Sequence, residues 1–366
     1  MVKRLFFYLL ACLLACLLLL LLLEGVLRFI VRPDNPFLSY ASARQFAAQP
    51  GIFAPGDSAF QRGPERMPFR YSVNNLGFRG SLKAQRGEKI LLLGDSVAFG
   101  LFLNDTDTLA QQIQHLSQGG LTVLNSGVGG WGPEEQFAWL KDKLPMLRVD
   151  RVLWLITTND PMDGLSGDNH YQKVKQRIQD RRGYNLWLEQ TAIYAFLRTT
   201  IRQRAKKQHK KRLISVQKAE SWLAANGCEH PNSHTVEFVR RFLKTDCPML
   251  ALRPDASAKA AEAGMETYLQ RTHQFLQDRG IPLSIAVFPA YIQLTCPRLS
   301  RALQHQVKSF CLQTGAQYID LLPAFAKHKN RDALYLLPRD FHPSAKGTRV
   351  MAEQIIRHMK AGPGDD

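Results

Sequence analysis

Residues 89–100 read Lys-Ile-Leu-Leu-Leu-Gly-Asp-Ser-Val-Ala-Phe-Gly. The short apolar run Lys89–Gly94, ended by glycine, predicts a strand buried on both faces. Ser96 then stands where a strand gives way to a turn and a helix. An exposed nucleophile belongs at such a place, because the helix aims its N-terminal amides and dipole at developing negative charge. A G-x-S-x-G nucleophile elbow is absent, since position 98 is Ala. By itself Gly-Asp-Ser also suits a helix-capping turn.

The same kind of run recurs along the chain. Leu121–Asn125 (LTVLN), Val152–Thr157 (VLWLIT), Leu283–Phe288 (LSIAVF) and the weaker Gln317–Leu321 (QYIDL) read as further buried strands. Helical stretches are expected at Thr108–Leu116, Pro133–Leu144, Ser257–Arg279 and Leu299–Thr314, with a closing helix at Thr348–Lys360. Alternation of this type predicts an α/β sandwich around a mostly parallel sheet.

Three more segments carry candidate chemistry. Asn125-Ser126-Gly127-Val128-Gly129-Gly130-Trp131-Gly132-Pro133 follows the second strand. It formally contains G-x-G-x-x-G, but no acidic residue ends the next strand to bind a ribose. A backbone that approaches a reacting group with free amides is the better reading; a tight turn leading to Pro133 is the alternative. Thr157-Thr158-Asn159-Asp160 follows the third strand, and the Asn159 amide can donate to an oxyanion. In Arg339-Asp340-Phe341-His342-Pro343 an extended backbone puts Asp340 and His342 on one side, so the carboxylate can orient the ring.

Taken together and in this order, these blocks resemble the SGNH, or GDSL-type, hydrolase family, in its membrane-anchored or exported bacterial branch. The resemblance runs from about Tyr71 to the C-terminal helix and includes Asn75-Leu76-Gly77-Phe78-Arg79-Gly80 upstream. It implies a three-layer flavodoxin-like α/β fold. It maps the family's Ser, Gly, Asn and His onto Ser96, Gly130, Asn159 and His342. The implied roles are nucleophile for Ser96, general base for His342 and orienting acid for Asp340. The implied oxyanion hole is the backbone N–H of Ser96 and Gly130 with the Asn159 amide. Family members often have Gly two residues before the Asn and D-x-x-H before the histidine. Here Thr157 replaces that Gly, and Arg339 occupies the usual acid position. The implied activity is ester hydrolysis, with no metal or organic cofactor. Transfer of the acyl group to an exported polysaccharide by the same residues, or a non-catalytic polymer-binding module, are the rival readings.

The N-terminus points to where this chemistry takes place. An unbroken apolar run from Leu5 to Leu23 follows Lys3 and Arg4. Nineteen residues at about 1.5 Å each span roughly 28 Å, close to the hydrocarbon thickness of a bilayer. A single-pass signal anchor over residues 1–32 is expected, with the N-terminus cytoplasmic and the catalytic domain in the periplasm or outside the cell. A cleaved signal peptide and a lipoprotein signal at Cys12 or Cys16 are the alternatives. Residues 33–70, rich in Pro, Gly, Ser and Gln, read as a linker and lead-in. The hydrolase domain is then expected at 71–160 and 257–366.

Residues 161–256 read as a basic helical insertion. Between 171 and 220 there are fourteen Lys or Arg against three acids, much of the chain's net +17. Contact with an anionic headgroup or polymer is the functional expectation, and a solvated face the plain one. Nucleic acid is not an expected partner, because the Arg198–Arg212 stretch lacks interleaved aromatics. The expected partners are the membrane and an acylated small molecule, lipid or glycan. In an oxidising compartment the local pairs Cys228/Cys247 and Cys296/Cys311 suggest two disulfides. Cys228, His230, His234 and Cys247 form the competing metal-ligand set, with a spacing that matches no common zinc pattern.

Overall fold

A computed structural model describes residues 2–30, 43–56, 58–62, 68–81, 87–166, 171–173, 175–176, 193, 197 and 213–361. Its strands are β1 (Ser58–Arg62), β2 (Pro68–Ser72), β3 (Glu88–Leu93), β4 (Leu121–Asn125), β5 (Arg151–Ile156), β6 (Leu283–Val287) and β7 (Gln317–Asp320). Within β3, Ile90 and Leu92 pack on one side while Leu91 and Leu93 pack on the other, and all four are buried. Period-two alternation with apolar residues on both faces is what a central parallel strand requires. β3 to β7 form one parallel sheet in the order β4-β3-β5-β6-β7. Counted from β3 this is 2-1-3-4-5, the flavodoxin-like order whose switch point lies between β3 and β5. Each of these five strands begins and ends within one residue of its expected place, whereas β1 and β2 form an antiparallel pair in the lead-in, where no strand is expected.

One face of the sheet is covered by the helices Leu109–Leu116 and Ala345–Ala361 and by part of the insertion. The other carries Pro133–Lys143, Ala256–Gln277 and Ala302–Thr314. Side-chain caps start several of these helices: Thr108 accepts from Gln111 N, and Asp255 accepts from Ala258 N at 2.8 Å. Glycine is needed where β3 turns into the next helix. Gly94 has φ +154°, and a Cβ there would lie 2.8 Å from the Leu155 carbonyl oxygen.

The described part of the expected linker does not run free. Phe46, Ile52, Phe53 and Phe69 are buried in the core. Lys143 Nζ donates to Phe46 O at 2.6 Å, and Trp139 Nε1 to Pro50 O at 3.3 Å. A few widely spaced aromatics anchor this lead-in, which is why it shows no sequence period. Residues 31–42 and the basic Arg198–Arg212 stretch lie outside the described residues. The described end of the insertion contributes the helices Val216–Ala225, Ser233–Phe242 and Cys247–Leu250.

The local disulfide pairs are not formed. Cys228 bonds to Cys296, 68 residues away, and Cys247 and Cys311 are free and buried. Cys311 lies in the core on one face of the sheet and Cys296 on the other, so proximity in sequence does not become proximity in space. The bond also removes the Cys228 sulfur from the alternative metal-ligand set. Burial pushes both free thiols up, Cys311 to about 12, which keeps them protonated and unreactive.

The N-terminal helix, Val2–Ile30, exposes its leucines along its length. Its Lys3–Leu27 segment is long and apolar enough to cross a bilayer, as an anchor or as a signal sequence.

Candidate active site

Three chain segments meet at the C-terminal ends of β3, β4 and β5. Ser96 opens the short helix Ser96–Phe99, capped by Asp95, whose carboxylate accepts from Val97 N at 2.8 Å. As a first-turn amide, the Ser96 N–H has no partner within the helix. The loop after β4 is drawn against this turn, with Ser126 N donating to Leu92 O and Val128 N to Gly94 O. Gly127 must be glycine, because a Cβ there would come 2.2 Å from Phe99 N. A Cβ at Gly129 would be 3.6 Å from that of Ser96. Gly130, the next residue, is exposed and left-handed at φ +79°.

Asn159 follows β5. Its Nδ2 donates to Asp163 at 2.8 Å and lies 3.4 Å from Asp95. Its Oδ1 accepts from the Thr157 hydroxyl at 2.9 Å. Thr157, which replaces the expected glycine, therefore helps to set the orientation of the Asn159 amide. Behind it, Asp160 is buried and accepts from Thr157 N at 2.6 Å and from Gln136 Nε2 at 3.1 Å. Burial, with the nearby charge of Asp95, pushes the Asp160 carboxyl well above its ordinary range.

His342 arrives from the segment before the last helix. Its Nε2 is 2.8 Å from Ser96 Oγ, and its Nδ1 is in close hydrogen-bond contact with Asp340. The D-x-H spacing suffices because the chain turns back on the carboxylate: His342 N also donates to Asp340 Oδ1, at 2.8 Å. The carbonyl of Arg339, which occupies the usual acid position, accepts from Arg241 at 2.9 Å. Burial alone would lower the imidazole pKa. The hydrogen bond and charge of Asp340, with Asp95 and Asp246 further off, outweigh it and hold His342 above its usual value. Burial likewise opposes ionisation of Asp340, but His342 and Arg241 bring its carboxyl below the usual range.

The cleft over Ser96 and His342 measures about 220 Å³. The insertion supplies one of its walls with Phe238, Arg241, Phe242, Thr245 and Asp246. None of these five was legible as a site residue, since each contact spans more than eighty residues of chain. Asp246 is buried, accepts from Thr158 Oγ1 at 2.6 Å and from Thr245 Oγ1 at 2.9 Å, and is pushed up by burial to about 6. A hydroxyl, an imidazole and a carboxylate in hydrogen-bonded sequence, beside a glycine-rich loop and an amide, suit acyl transfer through an activated oxygen.

The family model for GDSL-like lipases and acylhydrolases matches residues 92–350, well over half of the chain. The chain belongs to the GDSL-like lipase/acylhydrolase family. This GDSL-like protein is an ester-bond hydrolase. Similar solved structures include a catalytic mutant of Axe2, an acetylxylan esterase from Geobacillus stearothermophilus, at 15% identity, 76% of this chain, 96% of that chain and TM-score 0.38. Another is a lipase/acylhydrolase from Enterococcus faecalis, at 13% identity, 76% of this chain, 100% of that chain and TM-score 0.38. No match was found among curated proteins.

Proposed function

We propose that this GDSL-like hydrolase is a serine esterase in which Ser96 attacks the carbonyl of an ester-linked acyl group. His342 Nε2 takes the Ser96 proton, then delivers it to the leaving alcohol. Asp340 fixes the His342 tautomer through Nδ1 and stabilises the imidazolium. The N–H groups of Ser96 and Gly130 and the Asn159 amide receive the oxyanion. Water, deprotonated by His342, then releases the acyl group from Ser96. The observation that carries this reading is the unbroken contact chain from Ser96 Oγ through both His342 nitrogens to Asp340.

For the substrate we propose an acylated glycan or lipid of the cell envelope. Phe238, Phe242 and Phe341 border the cleft and offer apolar surface, while Asp163 and Asp246 offer acceptors for hydroxyl groups. The long apolar N-terminal helix and the Cys228–Cys296 bond support an inner-membrane anchor with the hydrolase domain in the periplasm. The basic insertion would then share the compartment of the envelope's anionic headgroups.

The test compares the full chain in detergent with Ser96→Ala. Wild type should hydrolyse p-nitrophenyl acetate and be labelled by a fluorophosphonate, and Ser96→Ala should do neither. A Ser96→Ala variant that still turns over would sink the assignment.

A further inference from the structure

Arg79, in the Asn-Leu-Gly-Phe-Arg-Gly segment, lies before the family match, which begins at residue 92. Its side chain is fully buried. The guanidinium donates to the carbonyls of Phe99, Gly100 and Leu103, with the Phe99 contact at 2.8 Å. Its Nε meets Asp105 at 3.2 Å, and its Cζ lies 4.6 Å from the Phe99 ring centroid. The lead-in grips the same loop at two further points. Ser72 Oγ donates to Asp105 at 2.6 Å, and Arg70 N donates to Asn104 Oδ1 at 2.9 Å. A buried cation spread over three carbonyls and one carboxylate is costly to leave unpaired, so the loop cannot move away from it cheaply.

The gripped loop carries Phe102, which has φ +66°. A bulky residue rarely holds the left-handed region unless its surroundings impose it. Phe102 stands perpendicular to the His342 ring, centroid to centroid 5.7 Å, and perpendicular to Phe69 of β2 at 5.8 Å. One side of the imidazole is therefore braced by a residue whose own backbone is held by Arg79.

We propose that Arg79 and Phe102 are positioning residues for His342: Arg79 fixes the loop 99–103 through its carbonyls, and Phe102 on that loop holds the imidazole with Nε2 facing Ser96. This deepens the esterase reading and rests on His342 being its general base. It also makes the lead-in, up to residue 81, part of the working enzyme. Proton transfer from Ser96 depends on the distance and direction of one nitrogen, and small misplacements of such groups cost about a hundredfold at the extreme.

The experiment measures kcat and KM for p-nitrophenyl acetate, and the fluorophosphonate labelling rate, on the full chain in detergent. Phe102→Ala should lower kcat and labelling about tenfold or more with KM within about twofold, and with little change in melting temperature. Phe102→Tyr, which keeps the ring, should restore kcat. Arg79→Lys keeps the charge but loses the planar fork, and should lower kcat in the same way. The double variant should lose no more than the worse single, because both act through one loop. If Phe102→Ala keeps kcat within about twofold while Ser96→Ala is inactive, the positioning role is wrong and the nucleophile assignment stands. If Phe102→Ala raises KM alone, Phe102 contacts substrate instead and the proposal fails. If Ser96→Ala retains turnover, the esterase reading falls and this inference falls with it.

Discussion

Asn159 donates its amide Nδ2 to Asp163 across 2.8 Å. Thr157 holds the other end of the same amide, at Oδ1. An amide held at both ends cannot flip, and its second N–H is directed past Ser96's neighbour Asp95, whose Oδ2 it meets weakly at 3.4 Å. Asn159→Ala should lower kcat by roughly 10²–10³, about 2.7–4 kcal/mol of transition-state stabilisation, with KM little changed. Asp163→Ala should cost less, about tenfold, because it loosens the donor without removing it. Steady-state kinetics on p-nitrophenyl acetate separate the two. Equal losses would argue that Asp163 does more than orient the amide.

The pH profile follows from the charges around His342. A general base must be neutral, and Asp340 holds the His342 pKa above its ordinary value of about 6.5. The acidic limb of kcat/KM should therefore have its midpoint above pH 6.5, with activity rising as pH rises through it. Asp340→Asn removes the main group that raises it, so the limb should move to lower pH while kcat falls. An unmoved limb in Asp340→Asn would show that another group titrates there.

Asp246 predicts a pH-dependent stability of the opposite origin. Its folded pKa is raised by burial to about 6, above the ordinary 3.8. The folded state thus prefers the protonated form, and stability falls as pH rises from about 4 to about 6. Asp246→Asn keeps the size without the buried charge; its Oδ1 can still accept from Thr158, while its Nδ2 donates to Thr245 Oγ1 in place of accepting. Its melting temperature should equal or exceed wild type at pH 7 and show no such gain at pH 4. A variant that is less stable at pH 7 would mean the ionised carboxylate is well compensated.

The Cys228–Cys296 bond closes a loop of 68 residues and ties the insertion to the segment after β6. In the chain-entropy account a loop of this length is worth about 4 kcal/mol. Cys228→Ser, or mild reduction, should lower the melting temperature by several degrees and loosen the wall that carries Phe238 and Arg241. Cys228→Ser should show no further drop with reductant, whereas Cys247→Ser, which keeps the Cys228–Cys296 bond, should lose melting temperature on reduction as wild type does. Thermal melts with and without reductant distinguish the two.

The sheet and the blocks at its edge were legible without coordinates because both are local. Five apolar runs ended by turns read as strands; four are buried, and the fifth, Gln317–Asp320, is a half-buried edge strand. Ser96, Gly130 and Asn159 each lie in the turn or loop that follows one of them. Asp340 and His342 are two residues apart, so their contact is also written locally. Tertiary structure decided what depends on distant partners. Cys228 finds Cys296 instead of Cys247 because the fold, not spacing, sets which thiols meet. The wall of Phe238, Arg241 and Asp246 faces Ser96 only once the insertion is laid over the strand ends. Arg79 looked like part of an upstream motif, and its task became visible when its guanidinium closed on the carbonyls of Phe99, Gly100 and Leu103. A sequence records which residues bury themselves and what local turns they make; which distant groups then touch is settled by packing in three dimensions.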